Sequence, residues 1–175
     1  IRMISPVAFE EDPLRMLRAV QFAARFGFKI ERETFKEIKN NARSISTVSA
    51  ERFQEEFRKM FTKAEKPSIG IKLLFVTGLI DHILPQSNLR HIDLASIDKL
   101  DKKAFPTFIG MMMSGYGSSA GKEVASKMRL SKVDSDAVQA VVTYMAKSPF
   151  LDKDDFKLVQ FMKGVSDKGI QSIDA

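Results

Sequence analysis

The feature that most constrains the fold is a succession of helix-length segments in which apolar residues recur at spacings of three and four. These segments are separated by residues that start or stop helices, such as Ser49, Pro67 and Gly78. The alternation of apolar and polar residues that is typical of strands is missing, apart from a strand remnant expected at residues 1–4. The sequence therefore predicts an all-α fold, an array of antiparallel helices.

The bounds of the expected helices follow from these signals. Asp12 is the predicted N-cap of the first helix, Pro13 its first residue, and Gly27 the residue that closes it. A later helix begins after Ser49 and includes Phe61. The others are expected over residues 32–41, 67–77, 104–114, 119–128, 134–147 and 152–163. A break at residues 85–90 predicts one domain of residues 1–85 and a second of residues 86–175.

The composition narrows the functional classes. The chain holds 28 Lys and Arg residues against 22 Asp and Glu, a net charge of +6, which favours a polyanionic partner. The absence of cysteine excludes disulfides, thiolate zinc sites and cysteine nucleophiles, and it is compatible with the cytoplasmic location that we expect. No apolar run approaches the roughly 18 residues of a membrane span, so no membrane partner is expected. Because the first residue is Ile1 rather than Met, we expect a piece of a longer chain.

The first helix concentrates charge on one side. At 100° per residue, Arg15, Arg18 and Arg25 fall on one arc and the apolar residues fall on the other, with Asp12 and Gln21 at the margins. Guanidinium groups on one face repel one another unless an anion or a carboxylate lies between them. Two interpretations stay open from the residues alone: local capping and ion pairing, or a site for an anionic ligand.

The segment around this helix resembles a known motif. Residues 9–28, FEEDPLRMLRAVQFAARFGF, resemble the fourth motif of the class II tRNA nucleotidyltransferases, the family of CCA-adding enzymes and bacterial poly(A) polymerases. The resemblance continues through residues 48–52 with Glu55, which resemble the next motif, and through residues 78–85. It is weaker at residues 128–131. It implies the helical neck, body and tail of such an enzyme.

The resemblance assigns roles to individual residues. It implies that Asp12 accepts a hydrogen bond from the exocyclic amine of an incoming nucleotide, and that Arg15 donates to the neighbouring ring nitrogen or carbonyl. Cytosine and adenine offer that pattern, whereas guanine and uracil offer the opposite one. Arg18 is implied to contact the triphosphate, and Glu11 and Gln21 belong to the same nucleotide-binding set. The family often has arginine where this sequence has Gln21.

A second group of residues is implied to support the first. Glu51, Arg52 and Glu55 match the motif thought to brace the recognition helix. Simple capping and pairing would explain the same residues equally well. We therefore expect them to act as structural support and to take no part in the chemistry.

The resemblance also implies what this chain lacks. In the family, the metal-binding carboxylates lie in an amino-terminal head with a Gly-Ser motif and an Asp-x-Asp pair, and no such combination occurs here. Residues 134–136 have the spacing, but they lie at a predicted helix start, where capping explains them. We expect an enzyme that adds C and/or A from CTP and ATP to the 3′ end of tRNA. Mg²⁺ would belong to the missing head, and this chain would bind no metal or cofactor and be inactive alone.

Two other patterns are weaker. Residues 115–122 are similar to a phosphate-binding loop, but the spacing is wrong and Glu123 stands where Ser or Thr is needed. Asp81 and His82, with His91 and Asp93, resemble part of a metal-dependent phosphohydrolase site, but two histidines without a second His-Asp pair make a poor ligand set.

Three alternatives to a CCA-adding enzyme stay open. They are a fragment of a poly(A) polymerase, a non-enzymatic helical module that binds RNA, and a helical scaffold for protein interactions. The pairing of Asp12 with Arg15 favours a nucleotidyltransferase over the last two, because neither an RNA-gripping module nor a scaffold needs to read a base edge.

Overall fold

A computed structural model of the chain describes residues 1–5, 7–84, 94–113 and 119–147. All regular structure in these ranges is helical, and they contain no strand, which confirms the all-α prediction. The described residues form two compact units, one of residues 1–84 with 94–99 and one of residues 100–147.

The first unit contains most of the helices. They are α1 (Ala8–Glu11), α2 (Leu14–Phe26), α3 (Arg32–Asn41), a 3-10 helix (Ala42–Thr47), α4 (Ala50–Lys63), α5 (Pro67–Thr77), α6 (Leu79–Ile83) and α7 (Leu94–Asp98). Helix α2 packs against α1, the 3-10 helix, α4 and α5, so it lies at the centre of this unit. The predicted bounds of α3 and α5 are confirmed, and so is the end of α2 before Gly27, whereas α2 begins at Leu14, one residue after the predicted start at Pro13.

The apolar face of α2 is buried as its periodicity predicts. Met16, Leu17 and Val20 are fully buried, and so are Phe57 and Phe61 on α4. Burial of each such side chain stabilises the fold by about 1.5–3 kcal/mol. The packing fixes the opposite face of α2, which carries the arginines, toward solvent.

Close helix packing in this unit depends on one glycine. A Cβ atom at Gly70 on α5 would overlap the thioether of Met60 on α4 and come within 3.1 Å of the Cβ of Ala24 on α2. Glycine therefore lets α5 approach both neighbours at once.

The amino-terminal segment is not a strand, which corrects the expected remnant at residues 1–4. Instead it is tied to the start of α3. The backbone carbonyl of Ile1 accepts a hydrogen bond from the N–H of Glu31 at 2.9 Å, and the N–H of Met3 donates to Thr34 Oγ1 at 2.9 Å. These bonds satisfy the backbone without a sheet.

The second unit contains α8 (Phe105–Met112), α9 (Ala120–Lys127) and α10 (Lys132–Lys147). Helix α10 packs on both α8 and α9. It begins before the predicted start at residue 134, because Ser131 Oγ accepts the backbone N–H of Asp134 at 3.1 Å and caps the helix. The capping role expected for residues 134–136 is therefore wrong, since Asp134 lies in the first turn.

Several predictions concern residues that the structure does not describe. The domain boundary at residues 85–86, the helix over residues 152–163, the first part of the loop at residues 115–118, and His91 and Asp93 all lie outside the described residues. They stay predictions. Within the described ranges, no helix is both long and apolar enough to cross a membrane.

Candidate nucleotide-recognition site

Asp12 joins α1 to α2 and caps the second of them. Its backbone is extended, with φ −145° and ψ 94°, and its Oδ1 accepts the N–H of Leu14 at 3.3 Å. Pro13 follows in helical conformation, with φ −58°, directly before the first residue of α2. The Asp12 side chain thus bonds to the start of α2 as a cap would, although Pro13 occupies the N-cap position, and this bond holds the carboxylate at the amino end of α2.

The same carboxylate contacts a residue that is distant in the sequence. Arg52 Nη2 lies 3.2 Å from Asp12 Oδ1 and 3.1 Å from Oδ2. Arg52 is placed by the first turn of α4, where its backbone N–H donates to Oγ of the N-cap Ser49 at 3.5 Å. Because Arg52 contacts both oxygens, it restricts rotation of the Asp12 carboxylate.

Arg15 lies one turn further along α2 and also has partners within the protein. Its Nη1 donates to Glu11 Oε2 at 3.1 Å and to the backbone carbonyl of Ala8 at 3.1 Å. The structure therefore brings Glu11, Asp12, Arg15 and Arg52 together at one end of α2. Local ion pairing, one of the two interpretations of the arginine face, is present here, and the site for an anionic ligand stays a prediction.

Arg18 lies on the exposed face one turn beyond Arg15. Its guanidinium carbon is 5.7 Å from the centre of the Phe22 ring. Among the described residues, no carboxylate lies within salt-bridge distance of Arg18. This guanidinium is consequently the most available cation near the Asp12 end of the helix.

Gln21 lies elsewhere than expected. The helical projection puts it at the margin of the exposed arc, but only 1% of its surface is exposed. Neither its Oε1 nor its Nε2 has a hydrogen-bond partner among the described residues. Its predicted contact with a nucleotide stays untested, and its burial does not favour that contact.

The three supporting residues differ in what they contact. Arg52 reaches Asp12 as described above, and Glu51 is exposed in the first turn of α4. Glu55 instead pairs along its own helix, with its Oε1 2.8 Å from Lys59 Nζ. The hydrogen bond from Lys59, and then its charge, lower the pKa of Glu55, while hydrogen bonds to Glu55 and Glu56 raise the pKa of Lys59. Glu55 therefore stabilises α4 and does not contact Asp12.

Three aromatic residues further along α2 and just after its end are not among the predicted site residues. Phe22, Phe26 and Phe28 form a row of rings on the exposed side of α2 and the turn after it. The sequence signal for this row is that Phe26 and Phe28 flank Gly27, and that Phe22 precedes Phe26 by four residues, one turn of helix. Separately, no group of three or more His, Cys, Asp or Glu residues within the described ranges is placed to hold a metal ion.

Comparison with known proteins places this chain in a family. A family model described as "Probable RNA and SrmB-binding site of polymerase A" matches residues 27–89. The CCA-adding enzyme of Pediococcus pentosaceus is 32% identical over 135 residues, which are 76% of this chain and 34% of that relative. The chain belongs to the class II CCA-adding enzyme family. It spans about a third of that curated relative's length.

Solved structures of CCA-adding enzymes share the fold of this chain. The Thermotoga maritima CCA-adding enzyme complexed with tRNA matches it with a TM-score of 0.66 and 18% identity, over all of this chain and 51% of that one. A CCA-adding enzyme in complex with CTP matches with a TM-score of 0.63 and 20% identity, over 85% of this chain and 39% of that one. The chain thus has the helical fold of the carboxyl-terminal part of CCA-adding enzymes.

Proposed function

We propose that this chain is the nucleotide-selecting and RNA-holding part of an enzyme that adds C and/or A to the 3′ end of tRNA. The observation that carries this proposal is the placement of Asp12 and Arg15 at one end of α2, with the Asp12 carboxylate held by Arg52. Family membership and the solved complexes of relatives with tRNA and CTP support it.

Base selection follows from the hydrogen-bonding types of the two side chains. A carboxylate only accepts and a guanidinium only donates, so the pair fits a base edge that has an amine beside an acceptor. Cytosine and adenine have such an edge. Guanine and uracil would place a carbonyl against Asp12 and an N–H against Arg15, and each unmatched polar group costs about 1–3 kcal/mol.

The existing partners of Arg15 do not prevent this contact. The ion pair with Glu11 is exposed, and exposed pairs of this kind contribute about 0–1 kcal/mol. An incoming base can replace Glu11 at little cost, and Arg15 has further N–H donors. Glu11 then serves as a resting partner that keeps the guanidinium in place between turnovers.

Arg18 and the head of the whole enzyme have the remaining roles in the proposed reaction. Arg18 donates to the triphosphate of CTP or ATP, because its charge is permanent and its donors are forked. The metal-bound chemistry belongs to the head of the whole enzyme, whose carboxylates would hold Mg²⁺ and activate the 3′ hydroxyl of the RNA. We propose a cytoplasmic location, where tRNA is processed.

The decisive experiment separates base reading from capping. Asparagine caps helices well but replaces the carboxylate with an amide that also donates. We therefore expect Asp12→Asn in the whole enzyme to lower incorporation of CMP and AMP and to relax discrimination against UTP. The measurement is kcat/KM for all four nucleoside triphosphates on a tRNA that lacks its terminal residues.

Arg18→Ala is the matched control for this experiment. A phosphate contact carries no base information, so this variant should weaken use of all four nucleotides alike. If Asp12→Asn leaves all four preferences unchanged, Asp12 is only a cap. The chain would then be better described as a helical RNA-binding module without base selection.

A further inference from the structure

An exposed row of aromatic and cationic side chains runs along α2 beyond the proposed base-reading pair. We define the arginine–phenylalanine strip by the residues Arg18, Phe22, Arg25, Phe26 and Phe28. Phe26 and Phe28 are 50% and 58% exposed, and the two arginines are exposed as well. Large aromatic rings are usually buried, so an exposed row of them indicates a binding surface.

The rings of the strip are arranged in sequence. The ring centres of Phe22 and Phe26 are 5.9 Å apart, and those of Phe26 and Phe28 are 5.5 Å apart with an angle of 29° between their planes. The guanidinium carbon of Arg25 lies 4.7 Å from the centre of the Phe26 ring. Each arginine is therefore held against an aromatic face, which keeps positive charge along the row.

Gly27 gives the strip its last ring. Its φ of +68° is in the left-handed region and turns the chain at the end of α2. The turn brings Phe28 back onto Phe26 instead of continuing the helix. The local structure thus maintains two adjacent, half-exposed rings at the surface.

We propose that the arginine–phenylalanine strip binds unpaired nucleotides of an RNA strand, with bases stacked on Phe26 and Phe28 and a phosphate near Arg25. This inference rests on the proposed function, because it adds a subsite for the RNA substrate. Proteins that bind single-stranded nucleic acid combine these same two elements, stacking platforms and a cationic track. The acidic residues Glu11 and Asp12 lie at the other end of α2, away from this track.

Charge complementarity favours RNA over a second copy of the chain. Two copies joined through this strip would place Arg18 and Arg25 of each against those of the other, and juxtaposed like charges oppose association. An RNA strand brings one negative charge with each nucleotide and a planar base beside it. The combination of ring and guanidinium therefore matches a nucleotide unit.

The sequence offers a direct probe of stacking. The chain contains no tryptophan, so Phe28→Trp introduces a single indole into the strip. We expect an RNA hairpin with an unpaired 3′ extension to quench the indole fluorescence saturably. A blunt hairpin of the same stem should quench it far less. Equal quenching by both hairpins, or none, would overturn the proposal.

Substitutions in the chain without the tryptophan probe test how much stacking contributes to RNA binding. Phe28→Ala and Phe28→Leu should each weaken binding of the extended hairpin about tenfold, since leucine keeps apolar surface but cannot stack on a base. The matched control is Val76→Ala, because Val76 on α5 has a similar exposed fraction of 52%. Circular dichroism of each variant checks the helical fold. Unchanged affinity in folded Phe28→Ala and Phe26→Ala variants would exclude stacking.

The two proposals fail independently. Phe28→Ala in the whole enzyme should raise the KM for tRNA and leave the preference for CTP over UTP unchanged, whereas Asp12→Asn should alter that preference. If Phe28 variants bind RNA normally while Asp12→Asn changes base choice, only the strip is wrong. If sedimentation in the analytical ultracentrifuge shows that Phe28→Ala dissociates a dimer and leaves RNA binding intact, a second copy of the chain covers the strip and the proposal is overturned.

Discussion

Among single residues, Arg52 makes the contact with the largest consequence for the proposed function. Its Nη2 contacts both carboxylate oxygens of Asp12 from 40 residues away. We expect Arg52→Ala to reduce discrimination between CTP and UTP while changing the free energy of unfolding by less than about 1 kcal/mol, because the pair is partly exposed. Arg52→Lys keeps the charge but loses the planar guanidinium, so it should give an intermediate ratio of kcat/KM values. An unchanged ratio in Arg52→Ala would show that Arg52 does not orient Asp12.

Gln21 is a residue whose replacement should stabilise the protein. A buried amide without hydrogen-bond partners costs about 1–3 kcal/mol, and Gln21 has none among the described residues. Methionine has a similar shape and no amide, so Gln21→Met should raise the free energy of unfolding by about 1 kcal/mol in urea denaturation. A decrease would show that the amide is hydrogen-bonded in solution.

Of the contacts made by these residues, some can be predicted from the sequence and others cannot, for physical reasons. Capping by Asp12 is a local property of one turn, so it was readable from the spacing of Asp12, Pro13 and the apolar residues that follow. The contact of Arg52 with Asp12 joins distant segments, and no local signal distinguishes Arg52 from Glu51 or Glu55. Burial of Gln21 depends on which neighbouring helices cover that edge of α2, which periodicity alone does not determine.

At the scale of helices, the ends of an element are predicted correctly where the sequence has a residue that caps or terminates a helix. Helices α2 and α5 both end at a glycine with positive φ, at Gly27 and Gly78, and α4 begins at a serine that accepts a backbone hydrogen bond. The missed elements are α1, α6, α7 and the 3-10 helix, and each has four to six residues. Such elements are too short to show periodicity, and tertiary packing rather than propensity stabilises them.

The end of α2 at Gly27 can be tested by substitution. A Cβ at Gly27 would meet nothing within 4 Å, so Gly27→Ala removes no contact and introduces only the strain of a positive φ. We expect it to lower the free energy of unfolding by about 1 kcal/mol, and Gly27→Asn to lower it less, because asparagine tolerates the left-handed region. Thermal unfolding followed by circular dichroism measures both. Equal stability of all three proteins would show that the turn can adopt another conformation.

For the whole molecule, the division into two compact units means that the candidate site depends on one of them. Asp12, Arg15, Arg52 and the strip all lie in the unit of residues 1–84 with 94–99. The hydrogen bonds and ring contacts described for these residues join partners within that same unit. The proposed base-reading pair and the proposed RNA contact at Phe28 use different residues of this unit, so point variants in the full chain can test each of them separately.

The net positive charge of the chain predicts that its binding to RNA depends on salt concentration. Residues 1–63 contain 13 Lys and Arg against 9 Asp and Glu, so much of the net charge of +6 lies in the segment that holds the site. We expect the purified chain to bind tRNA, and the logarithm of the binding constant to fall linearly with the logarithm of salt concentration, by about 0.9 for each phosphate neutralised. It should incorporate neither CMP nor AMP, because phosphoryl transfer needs metal-binding carboxylates and the described residues hold no such cluster. Arg25→Ala should reduce the salt slope by about one without changing the absence of transfer. Nucleotide transfer by the pure chain would place the catalytic centre within it, and salt-independent binding would remove the electrostatic basis of RNA recognition.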